Sequence, residues 1–160
     1  MVTSSGTFTL ITTVIIGLFL EIIPLPDMLE WWRPSWLLLT VIYWTMALPT
    51  RVGIIWAWLM GLILDVSMGT HLGIHGSTFA ITAYLVLNLN NRLRQFTLWQ
   101  QSLFVVLLVG FDLVVSLWLE NFIDYRYRPA TYWLPMISSA LIWPISFISL
   151  RHIRRNFRVQ

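Results

Sequence analysis

Apolar residues fall into six blocks, and proline, glycine and charge mark the breaks between them. The blocks run approximately Phe8–Ile23, Ser35–Leu48, Gly53–Met68, Ile74–Leu89, Leu98–Phe122 and Thr131–Leu150. A helix that crosses a bilayer needs about 20 apolar residues, with a lower limit near 17. The first, fifth and sixth blocks reach or approach that length. The second, third and fourth are shorter, since 16 helical residues rise only about 24 Å. They are expected to borrow flanking Trp31, Trp32 and Thr50, or to lie where the bilayer thins. A re-entrant second block is the alternative.

The connections are short: "IPLPDMLEWWRP", "PTRVG", "GTHLG", "NNRLRQFT" and "IDYRYRPA". None has room for a soluble domain, and no internal repeat stands out. The pattern predicts a single all-α domain over residues 1–160, an integral membrane bundle of six transmembrane helices, with residues 151–160 as a basic tail.

Composition supports a bilayer as the solvent. The chain is 58% hydrophobic and only 11% charged, against about 25% charged in a soluble domain. Ten tryptophans suit a protein with two membrane–water interfaces. With no cysteine, disulfides and thiolate metal sites are excluded. The N-terminus lacks a basic region and a small-residue cleavage site, so the first block reads as a retained helix rather than a signal peptide.

Charge sets the expected orientation. With the N-terminus inside, Arg51, Arg92, Arg94, Arg151, Arg154, Arg155 and Arg158 lie on the inner side, and Arg33, Arg126 and Arg128 outside. The positive-inside rule then puts both termini in the cytoplasm. Every carboxylate would lie from about mid-membrane outward. Glu21 and Glu120 sit near block ends, within reach of the interface.

One carboxylate, Asp65, lies deep in an apolar run, "GLILDVSMGTHLG". A charge in the membrane is costly and should face protein. Gly61, Asp65 and Gly69 are four apart and share a helix face, where small residues let another helix approach. Gly69 suits a helix C-cap, and Gly73 and Gly76 suit a tight turn into the fourth helix. Expected partners for Asp65 are backbone N–H groups near Thr70 to Ile74, because a helix N-terminus favours negative charge. His71, His75, Arg33 and Arg126 are the others. Two readings stand: a clamp that fixes the turn, or a binding site. Asp112 has the same two readings, with more weight on helix pairing.

Other chemistries find little support. No His, Asp or Glu pair has the spacing of a metal signature, and "GTHLGIHG" lacks the strand and lysine of a phosphate loop. No nucleophile elbow, catalytic residue, cofactor or nucleic-acid-binding pattern is present. In "RHIRRNFR", Arg151, Arg154, Arg155 and Arg158 fall within about 100° of arc on a helix. That stripe is expected to anchor on anionic lipid, or to dock a cytoplasmic partner.

Several stretches in order carry a family resemblance: "PLPD", "RPSWLLL", "YWTMALPTRV", "MGLILDVSMGTHLG", "AYLV", "LWQQ" and "FRVQ". From roughly Ile22 to Gln160 the chain resembles the rod shape-determining MreD family, its enterobacterial type most closely. Gly61, Asp65, Gly69, Leu72 and Gly73 form the most recognisable run.

The resemblance implies an inner-membrane, non-enzymatic scaffold of the cell-wall elongation machinery. The implied partners are MreC, most directly, with MreB, RodA and a class B penicillin-binding protein. It also implies a fold like the substrate-binding subunits of energy-coupling-factor importers. The competing reading is a carrier or binding subunit for a small molecule or lipid-linked wall precursor, with Arg33, Arg126 and Arg128 at an outer mouth.

Overall fold

The computed structural model describes residues 4–123 and 128–157. Among the described residues the chain is helical and has no strand. Its six long helices are α1 (Ser4–Ile22), α3 (Trp36–Ala47), α4 (Ile54–Met68), α5 (Ile74–Leu93), α6 (Leu98–Ile123) and α7 (Leu134–Asn156). A single helical turn, α2 (Asp27–Glu30), follows α1, and a 3₁₀ turn (Ala130–Trp133) leads into α7.

Helix α3 is the axis of the bundle. Leu37 through Met46 are buried without a break, and α1, α5 and α7 all pack on it. A helix apolar on every side belongs in a core. This explains the shortness of the second apolar block. A helix enclosed by other helices need not match the thickness of the surrounding solvent. Trp31 and Trp32 are exposed and lie outside α3, so α3 does not borrow them. Helix α4 packs chiefly on α5, and α6 packs on α5 and α7.

Polar residues punctuate an apolar core, and large apolar residues cover much of the surface. The interior holds Thr13, Thr45, Thr78, Thr82, Asn90, Gln101, Ser116 and Ser139, while Phe8, Ile55, Val66, Leu103, Leu107 and Ile145 lie on the surface, well exposed. Soluble monomers rarely expose contiguous apolar surface on this scale. Two helical runs, Leu98–Ile123 and Ala130–Asn156, are long and apolar enough to cross a membrane.

Four boundaries differ from the sequence expectation by three residues or more, the first being the start of α1 at Ser4 rather than Phe8. Helix α5 passes Leu89 and runs to Leu93, because Asn90 is buried inside the bundle and does not open a loop. Helix α7 passes Leu150 and runs to Asn156. Arg151 changes the chemistry of the helix surface but carries no helix-breaking residue. Pro135 near its N-terminus explains the start at Leu134, since proline is tolerated where no N–H partner is needed.

Candidate functional site

Several of the sparse charges of this chain serve helix ends. Arg33 Nη1 and Nη2 donate to the carbonyls of Glu21 (2.5 Å) and Ile23 (2.7 Å) at the end of α1. The Glu21 carboxylate accepts from the Leu37 N–H in the first turn of α3 at 3.2 Å. At the other end of α3, Arg94 donates from Nε and Nη2 to the Met46 carbonyl, at 3.1 and 2.7 Å. Cations thus meet carbonyl ends and carboxylates meet N–H ends, as helix dipoles favour. Glu21 turns inward and caps a helix rather than reaching for the interface. Glu120 pairs with Arg128 at 2.5 Å.

Asp65 is the most heavily bonded of these groups. It is fully buried. Its Oδ1 accepts from the Thr70 hydroxyl (2.9 Å) and the His75 N–H (3.1 Å), and lies 2.7 Å from His75 Nδ1. Its Oδ2 accepts from the N–H groups of Gly73 (2.8 Å) and Gly76 (3.3 Å). The carboxylate therefore occupies the N-terminus of α5, where unpaired N–H groups favour an anion. Of the side-chain candidates, His75 is engaged. His71 is exposed, Arg33 is held by α1, and Arg126 lies outside the described residues.

The glycines shape this turn. Gly69 ends α4 at φ +66°, its N–H returning to the Asp65 carbonyl, and Gly73 opens α5 at φ +99°. Both angles are left-handed, which glycine adopts without cost. Gly61 does something else: a methyl carbon there would lie 2.6 Å from the Gly76 nitrogen. The backbones of α4 and α5 touch at that point. Leu72, the fifth member of the run, is 71% exposed and contributes nothing to this core.

Beside the clamp lies a cavity of about 360 Å³, lined among others by Glu21, Arg33, His75, Asp112, Arg128 and Tyr132. Asp112 is buried, with Thr78 as a hydrogen-bonding neighbour across the α5–α6 interface. Its Oδ1 has no partner among the described residues. The Tyr132 hydroxyl donates to the Leu113 carbonyl at 3.1 Å. Arg128 also stacks on the Tyr132 ring, 5.3 Å from its centroid.

The basic stripe lies at the opposite end. Arg151, Arg154 and Arg155 ride on the last turns of α7, and Arg158 lies outside the described residues. Arg154 reaches the Ala47 carbonyl at 3.5 Å. Sequence reasoning did not single out Tyr43, Gln101 or Tyr132, because a lone polar tip in an apolar block has no periodic signature.

With an apolar exterior, two helical runs long and apolar enough to cross a membrane, and several of its few charges bonded to its own helix ends, this chain is a helical membrane protein. The family model for the rod shape-determining protein MreD matches residues 3–153, and the chain belongs to that family. It is 34% identical over 152 residues to the rod shape-determining protein MreD of Haemophilus influenzae, covering 95% of this chain and 94% of that protein. The family match includes α1, upstream of where the sequence resemblance begins, and stops short of "FRVQ". The chain is accordingly a shape-determining structural protein rather than an enzyme. No solved structure matches it, so the expected likeness to energy-coupling-factor subunits has no structural match behind it.

Proposed function

We propose that this chain is a six-span scaffold of the bacterial inner membrane. It holds MreC and steadies a wall-elongation complex with MreB, RodA and a class B penicillin-binding protein. Both termini face the cytoplasm. Family membership over nearly the whole chain carries this reading. The internal clamps support it. Asp65, Glu21, Arg33 and Arg94 all serve helix ends, which fits a rigid platform. The apolar flank of α4, with Ile55, Ile63 and Val66 exposed, is left uncovered by the chain itself. It is the surface we assign to a partner helix.

Depletion in a rod-shaped host tests the reading. We expect rods to round up while the level of wall synthases stays unchanged, with MreC losing its place in the complex. Persistence of rods after complete depletion would overturn it.

A further inference from the structure

At the basic end, a second cavity of about 260 Å³ opens between α3, α5, α6 and α7. Arg94, Arg151 and Arg154 line it, and among the described residues no carboxylate does. None of the three arginines makes an ion pair among the described residues. Three guanidinium groups converging without a counter-charge repel one another, and an anion relieves that repulsion.

The lining is built rather than incidental. Arg94 is fixed by its two hydrogen bonds to the Met46 carbonyl, and Arg154 makes one long contact, at 3.5 Å, with the Ala47 carbonyl. Those contacts leave further N–H groups on both guanidiniums. Gln101 is fully committed: its amide nitrogen donates to Leu93 and Phe96 carbonyls, and its oxygen accepts from the Trp143 indole. Tyr43 is different. The residue is 2% exposed, its hydroxyl has no hydrogen-bond partner among the described residues, and it lines the cavity. A buried hydroxyl without a partner costs about 1–3 kcal/mol, and an acceptor in the cavity removes that cost.

We propose that this cavity is a phosphate-binding site, with Arg94, Arg151 and Arg154 as the cationic wall and the Tyr43 hydroxyl as the donor at its floor. Guanidinium forks match phosphate geometry. The phosphate belongs either to the head group of an anionic lipid or to a soluble phosphorylated molecule. Basic pockets between membrane helices suit the former. The site goes beyond diffuse anchoring of the basic stripe, because Arg155, on the same stripe, does not line it.

The test uses the full chain purified in detergent and delipidated. Thermal unfolding is followed on titration with dioctanoyl phosphatidylglycerol, and separately with inorganic phosphate. Stabilisation by either supports the site. The lipid alone identifies a head group, and phosphate alone a soluble ligand. No stabilisation by either overturns it. Arg151→Gln, which removes an exposed arginine with no hydrogen bond to the rest of the chain among the described residues, is expected to weaken binding about tenfold. Tyr43→Phe should weaken it severalfold while the protein still folds. Arg155→Gln should leave binding unchanged. An equal loss in Arg151→Gln and Arg155→Gln would mean a diffuse basic surface and would refute the built site.

Discussion

The Gly73 N–H donates to the Asp65 carboxylate at 2.8 Å, across a gap of eight residues. That bond, with its companions from Thr70, His75 and Gly76, closes the turn between α4 and α5. It also answers why an apolar helix retains a charge. The carboxylate supplies acceptors to N–H groups that neither lipid nor the helix itself would satisfy.

Asp65→Asn should therefore destabilise the fold by about 2–4 kcal/mol, because one arm of the amide would present a donor to donors. Thermal unfolding in detergent reads this directly. An unchanged midpoint would show that the turn holds without the carboxylate.

The two kinds of glycine separate by substitution. Gly61→Ala places a carbon against backbone atoms of α5 and should cost about 1–3 kcal/mol by forcing the helices apart. Gly69→Ala meets open space but a left-handed φ of +66°, for about 1–2 kcal/mol. Gly69→Asn should recover part of that loss, since asparagine tolerates this conformation. Equal stability of the alanine and asparagine variants at position 69 would contradict the assignment.

Helices α1 and α3 are joined by the Trp44 indole N–H, which donates to the Thr13 hydroxyl at 2.9 Å in the buried core. Thr13→Val keeps the shape and removes the acceptor. We expect a loss of about 1–3 kcal/mol, and near-native stability for Thr13→Ser. Indistinguishable melting of the two variants would argue that the indole finds another acceptor.

Because the chain has no cysteine, every single-cysteine variant is a unique reporter of topology. With both termini in the cytoplasm, cysteines at Trp32 and Ala130 should react with an impermeant maleimide on spheroplasts. Those at Asn91 and Asn156 should react only after lysis. The reverse pattern would invert the orientation drawn from the arginines.

The long apolar blocks and the Asp65 turn were legible because each has a strong local signal. Blocks of apolar residues need no partner to be recognised, and a carboxylate among glycines at a spacing of four marks one helix face. The ends of α5 and α7 were less legible. Asn90 and Arg151 are polar, and polarity was read as the end of a helix. In a bundle whose core admits polar residues, a buried asparagine continues the helix, and an arginine at the aqueous boundary changes its solvent without breaking it. The inward turn of Glu21 onto α3 and the placement of Tyr43 in one cavity with the arginines depend on contacts far apart in sequence. Asp65 meets its partners within eleven residues, while Arg94 meets Met46 across forty-eight.

The scaffold claim is tested most directly by capture from native membranes. The tagged chain is released by gentle solubilisation, and whatever accompanies it is identified by mass spectrometry. We expect MreC together with the wall synthases. Recovery of transporter ATPase subunits, or of a tightly held small molecule with no wall proteins, would contradict the scaffold and favour a carrier.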